Sequence, residues 1–175
     1  MPKRSISLWS WTNSEGITSG KFRFKKDNIL FGKLRPYFHK VGVPAINGVC
    51  STDIVVIVPN EEWFWGLLLG HLSSDEFVAY TNAASTGTKM PRTNWKDMSR
   101  YPIAIPDPDI SYLFTQHIKH IVQMLHANIH EANTLTSLRD TLLPKLISGE
   151  LRLSAGTIEA LAARVGVPDA EGFVA

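Results

Sequence analysis

From about Ile110 to Gly149 the chain carries one long helical pattern, and no other feature constrains its fold as strongly. Apolar or small residues recur at Ile118, Ile121, Leu125, Ala132, Leu135, Leu142 and Leu146 in steps of three and four, with Asn128 and Arg139 filling two seam positions. This is a heptad seam, and polar intrusions in such seams fix register. At ~1.5 Å per residue the run would span on the order of 55 Å. One neighbouring domain of ~100 residues is too small to cover a rod of that length. The pattern therefore predicts a partner helix from a second chain, packed through Ile118, Ile121, Leu125, Leu135, Leu142 and Leu146. The competing arrangement is a long amphipathic helix folded back on its own domain. Pro106-Asp107-Pro108-Asp109 marks the helix start, because proline suits a first turn but not an interior. Pro144 falls near the end, and Gly149 is placed as a C-terminal stop.

Ahead of the helix the pattern is mostly strand-like, and the whole reads as α+β. Phe22-Arg23-Phe24 alternates, and Asn28 to Leu34 is a short apolar run broken by Gly32. Gly42 and Pro44 predict a turn, and Asn47-Gly48 a tight one. Val49 to Val58 reads as a single β-branched strand stopped by Pro59-Asn60. Glu61 to Tyr80 reads as helix with an apolar face at Trp63, Leu67, Leu68, His71 and Leu72, interrupted and recapped at Ser73-Ser74-Asp75-Glu76. Asn82 to Asn94 is a polar loop, and Arg100 to Pro106 returns as a short strand. Beyond Leu153 one short helical pattern, Thr157 to Val165, precedes small residues expected to be mobile.

Charge enters through its distribution. The chain of 175 residues has a formal net charge of only +2. Between Lys21 and Lys40, however, Lys21, Arg23, Lys25, Lys26, Lys33, Arg35, His39 and Lys40 face a single acid, Asp27. A local basic segment in a near-neutral protein fits a phosphate-facing surface, or else a strand edge guarded by lysines. The lone Cys50 excludes an intrachain disulfide and a multi-cysteine zinc site, and reads as a buried structural thiol. No apolar run reaches membrane-span length and no secretory signal opens the chain, which reads as soluble and cytoplasmic.

Catalytic motifs are missing from the sequence. There is no Gly-rich strand-to-helix turn, no phosphate-binding loop and no Asn-Pro-Pro-aromatic motif. His117, His120, His126 and His130 lack the carboxylates or thiols that would complete a metal site, and read as solvated helix histidines. No cofactor is expected. What remains is a binding apparatus of two elements. In the first, Lys33, Arg35, Tyr37 and His39 share a strand face until Pro36 perturbs it, with Lys40 following. Cations beside aromatics suit contact with phosphates and bases. The second is the loop Ser85 to Arg92, where Thr88, small residues and Gly87 permit close approach to a phosphate backbone. Lys89 and Arg92 add charge there, and arginine can read guanine with two parallel hydrogen bonds.

Three segments carry a family resemblance: Ile29 to Gly42 with Gly48 to Pro59, Ser85 to Trp95 with Tyr101 to Pro106, and Leu138 to Leu151. Together they resemble the specificity subunits of type I restriction–modification enzymes. That resemblance implies a mixed-sheet target-recognition domain over residues 1–106, a spacer and dimerisation helix over 107–150 and a tail over 151–175. It also implies that Met1 lies inside the family's domain, with a strand and a helix of that domain expected ahead of it. Subunits of this family are non-catalytic. They place two recognition domains on antiparallel helices, each domain reading half of a split double-stranded DNA target, and deliver methyltransferase and restriction–translocase subunits to it. One domain with one helix implies a homodimer, or pairing with another such chain, and a spaced palindromic target. The contrasting expectation is a scaffold that assembles through its helix without reading DNA.

Overall fold

The computed structural model describes residues 1–12, 15 and 18–165. The chain divides into two compact units, Met1–Ile129 and His130–Ala175. The first unit is α+β. Its centre is a three-stranded sheet in which β2 (Ile29–Gly32) lies between β3 (Val41–Gly42) and β5 (Ile54–Ile57), antiparallel to both. A second, two-stranded sheet pairs β1 (Lys21–Phe24) with β4 (Gly48–Ser51). A parallel element comes from the N-terminal segment, where Ser7 bridges to Val43 and the Val43 amide donates to the Ile6 carbonyl at 3.0 Å.

All four residues of β2 are buried, which explains why Ile29 to Phe31 are apolar without alternation. Ile29, Phe31, Val41, Val43 and Ile57 join Trp65, Leu69, Leu72, Phe77, Met98 and Val122 in one core. Each large apolar side chain fully withdrawn from water contributes roughly 1.5–3 kcal/mol. Phe31 and Phe77 meet edge to face with centroids 5.6 Å apart.

The run from Val49 to Val58, expected as one strand, is two. It breaks at Thr52-Asp53, where the Asp53 amide donates to the Ser51 hydroxyl at 3.2 Å. Such short polar side chains offer the backbone a local turn in place of a ladder. The Asn47-Gly48 turn signal is likewise overridden. Asn47 Oδ1 accepts from the Lys26 amide at 2.7 Å, and Gly48 opens β4 opposite Phe24. A Cβ on Gly48 would lie 2.8 Å from the Phe24 ring, so the glycine makes room for a cross-strand aromatic. Gly42 is a strand residue rather than a turn. Its missing Cβ leaves space for Leu8, 2.6 Å from where that atom would be.

The helices follow the sequence more closely. After a short 3-10 turn at Glu62–Phe64 come α1 (Trp65–Leu72) and α2 (Asp75–Ala83). The Ser74 hydroxyl caps α2 by accepting from the Phe77 amide at 3.1 Å. The buried face of α1 is Trp65, Gly66, Leu69 and Leu72, rotated from the expected one. A further short helix, α3 (Trp95–Met98), is capped by Asn94. Arg100 to Pro106, expected as a strand, carries no ladder; Pro102 and Pro106 supply no amide donor there.

Helix α4 runs from Pro108 to Ile147. Its portion in the first unit buries Ser111, Thr115, Val122, His126 and Ile129, with Ile118 packed against the core. The first part of the seam thus does have a partner inside the chain. Ile118 faces its own domain and Leu125 is half-buried, while Ile121 is exposed. Small and polar side chains set this docking. The Gly66 amide donates to the Thr115 hydroxyl at 3.0 Å, His126 Nε2 lies 3.3 Å from the Val43 carbonyl, and Lys119 pairs with Glu62.

In the second unit the remainder of α4 is exposed, including Leu135, Leu138, Leu142, Leu143, Leu146 and Ile147. Gly149, at φ +74°, stops the helix as expected, and the Leu151 amide closes back on the Lys145 carbonyl at 2.9 Å. A final helix, α5 (Ala155–Val165), starts at Ser154, whose hydroxyl meets that of Thr157 at 2.7 Å. Among the described residues no helix is long and apolar enough to cross a membrane, and no cluster of His, Cys, Asp or Glu could hold a metal ion.

Candidate nucleic-acid interface

The two sequence elements expected to bind are joined through the backbone. Leu34 bridges to Arg92, the Arg35 amide donates to the Pro91 carbonyl at 2.7 Å, and the Thr93 amide donates to the Lys33 carbonyl at 3.1 Å. The loop closes on itself by a second bridge, in which the Thr86 and Arg92 amides and carbonyls exchange hydrogen bonds at 3.0 and 2.9 Å. Gly87, at φ +100°, gives this narrow loop its positive-φ position. Thr88 and Lys89 are thereby held at an exposed tip beside the segment 33–40.

Strand alternation does not organise that segment. β2 ends at Gly32, and Pro36–Phe38 forms a 3-10 turn flanked by Arg35 (φ 51°) and His39 (φ 50°), both in the left-handed region. Two non-glycine residues in that region within five positions store strain that the surrounding contacts must hold. The turn sends its side chains in different directions. Tyr37 is 51 % exposed. His39 is buried, its Nε2 2.9 Å from the Ser73 carbonyl and its Nδ1 3.4 Å from the Asp75 carboxylate. The structure therefore turns His39 away from the solvent face on which strand spacing placed it, and gives it a structural role between the turn and α2.

Arg35 and Lys40 gather around an aromatic ring that sequence reading passed over. Lys3 Nζ, Lys40 Nζ and the Arg35 guanidinium carbon lie 3.9, 5.5 and 5.8 Å from the Phe38 ring centroid, and Tyr37 packs edge to face on the same ring at 4.8 Å. Cations over a ring face are stabilised by its quadrupole and remain able to meet an anion. Arg35 Nε is shut off from solvent without a hydrogen-bond partner among the described residues. Lys33, Arg35, Lys40 and Lys89 likewise form no ion pair with a described carboxylate. Lys3 and Phe38 are 35 residues apart and carry no motif; only folding brings them together.

Arg92 differs from these cations. Its Nε donates to Asp53 Oδ1 at 2.9 Å and its Nη2 to Asp53 Oδ2 at 3.4 Å. The Arg92 hydrogen bond, with the charges of Arg92 and Lys33 behind it, holds the Asp53 carboxyl below its ordinary value, although partial burial pushes the other way. Asp53 itself sits in the β4–β5 turn, and its carbonyl accepts from the Lys33 amide at 2.9 Å. Its signal in the sequence was the short polar interruption, Ser51-Thr52-Asp53, inside a β-branched run.

Much of the chain is similar to known proteins. The chain is 26 % identical over 141 residues to the EcoDI type I restriction enzyme specificity subunit of Escherichia coli, covering 78 % of this chain and 31 % of that protein. It is 31 % identical over 102 residues to the HindI type I specificity subunit of Haemophilus influenzae, covering 58 % of this chain and 22 % of that one. The chain is similar to type I restriction enzyme specificity subunits. It spans less than a third of the length of either of these two specificity subunits. No protein-family model matches it.

Proposed function

We propose that this chain is a DNA-recognition module of a type I restriction–modification assembly, without catalytic activity of its own. It reads one half of a bipartite target in double-stranded DNA. The observation that carries this reading is the joining of segments 33–40 and 86–93, which gathers Lys33, Arg35, Tyr37, Lys40, Thr88, Lys89 and Arg92 around paired backbone in a chain similar to specificity subunits. Lysines and a glycine-containing loop supply phosphate contacts, which position a protein on the duplex; side chains reaching base edges supply sequence choice. Helix α4 spaces the module from its counterpart and pairs with the helix of a second copy or of another specificity-type chain. The expected partners are the methyltransferase and restriction–translocase subunits, in the cytoplasm.

The exposed leucines of α4 favour a second reading, a scaffold that pairs through its helix without reading DNA. Titration of the full chain against random duplexes at several salt concentrations separates the two. A recognition module gives a steep salt slope and a preferred sequence; a scaffold gives neither. Co-purification with a methyltransferase chain tests the assembly itself.

A further inference from the structure

A guanidinium held along one edge by a carboxylate keeps its other edge free, and that free edge is a fork of two parallel N–H donors. Arg92 is in this state. Asp53 engages Nε and one hydrogen of Nη2, leaving both hydrogens of Nη1 and the second of Nη2. The side chain is 44 % exposed in this pair, and its hydrogen bonds among the described residues are those to Asp53. Its backbone is held on both sides, by Thr86 within the loop and by Leu34 across it, with Pro91 immediately before it bonded to Arg35. The backbone that carries the partner carboxylate is also held, because the Asp53 carbonyl accepts from Lys33 and its amide donates to the Ser51 hydroxyl. Three chain segments thus converge on one arginine whose direction is set before any ligand arrives.

An ion pair at this exposure adds little to stability, since solvent screens it. It has a different consequence for recognition. Its two charges cancel, so Arg92 attracts phosphate far less than Lys33 or Lys89 does. What survives the cancellation is directional hydrogen bonding. Two parallel donors match the O6 and N7 acceptors that guanine shows in the major groove, and no other base shows two acceptors side by side there. Fixing the fork in advance also lowers the ordering cost of a flexible side chain.

We propose that Asp53 is a positioning residue that aims Arg92 at a guanine, making Arg92–Asp53 a specificity-determining pair. This deepens the reading of the chain as a DNA-recognition module and rests on it.

The test is selection by the full chain from a pool of random duplexes, followed by sequencing, for the wild type, Asp53→Asn, Arg92→Lys and Arg92→Ala. The expected wild-type profile contains one G·C pair that both Arg92 variants lose while the other specified positions remain. Preference at that pair should fall roughly ten- to hundredfold for Arg92→Ala. Arg92→Lys keeps the charge but lacks the fork, and should lose the same preference. Asp53→Asn should relax the same pair while non-specific affinity rises, because a carboxylate facing the phosphates is gone. A merely structural salt bridge would not move the profile at one position in this way. A wild type that selects no sequence overturns both the recognition reading and this pair. A selective wild type whose profile is unchanged in Asp53→Asn, or whose Arg92-dependent position is not a guanine, overturns the pair alone. Should Asp53→Asn fail to fold, Arg92→Lys decides by the same criterion.

Discussion

The hydroxyl of Thr115 accepts the Gly66 amide at 3.0 Å and donates to the Trp63 carbonyl at 2.6 Å, so one residue of α4 satisfies backbone groups at the start of α1. First-turn amides of a helix have no partner within it, and here a neighbouring helix provides the cap. The approach is close enough that a Cβ on Gly66 would lie 2.8 Å from Thr115 Cα. Gly66→Ala should therefore force the two helices apart and destabilise the first unit by about 1–3 kcal/mol. Thr115→Val keeps the shape but leaves the buried Gly66 amide unsatisfied, at a cost of about 1–3 kcal/mol. Urea denaturation measures both, and wild-type midpoints in these variants would refute this account of the docking.

The seam residues fall into two groups with opposite expected behaviour. Leu135 and Leu142 are exposed in the second unit, whereas Ile118 packs against the core. Leu135→Asp and Leu142→Asp should dissociate a helix-paired assembly, because each would bury an unpaired charge there. They should leave the melting of the first unit unchanged. Ile118→Asp should unfold that unit instead. Sedimentation together with thermal melting reads both effects, and a wild type that stays monomeric at tens of micromolar rules out the pairing.

Lys33 and Lys89 form no ion pair with a described carboxylate, and Lys89 stands at the exposed loop tip. Replacing either by alanine should weaken binding to all duplexes alike and reduce the magnitude of the salt slope by about one, if each meets a single phosphate. Anisotropy titrations over a range of salt concentrations check this. A change confined to one sequence would instead mark the lysine as a base reader.

The Asp53 carboxyl titrates below its ordinary value in the folded chain, with the Arg92 hydrogen bond as the leading cause. For a depressed carboxylate the sign is fixed. Its stabilising contribution is fully present above the unfolded value of ~3.9 and is lost as pH falls through the lower folded value. The small stability difference between wild type and Asp53→Asn should thus be constant near neutrality and vanish in strong acid. Denaturant midpoints measured down the acid range give that difference, and one that grew on acidification would contradict the pair.

Burial raises the Cys50 thiol above its ordinary value, with the Lys21 charge opposing it only in part. Alkylation of the folded chain near pH 8 should therefore be slower than that of a free thiol and should reach the free rate in denaturant. A folded rate equal to the denatured one would show an accessible, unperturbed thiol.

Local rules were enough for much of this protein. The heptad-like spacing, the Pro108 start and the Gly149 stop make α4 readable, because helix periodicity and end chemistry act within a few residues. Ser74 before Asp75-Glu76 makes the α1–α2 break readable for the same reason. The basic segment and the Ser85–Arg92 loop were visible as candidates from composition alone. Tertiary structure decided which faces are used. Thr115, facing Gly66 of α1, and His126 belong to a buried stripe of α4 that hydropathy does not mark, because polar groups pack well once hydrogen bonds across the interface are met. The turn at Pro36–Phe38 withdraws His39 and gathers Lys3, Arg35 and Lys40 around Phe38. Asp53 meets Arg92 across 39 residues of chain. Such pairings depend on where distant backbone segments come to rest, and local sequence periodicity carries no record of that.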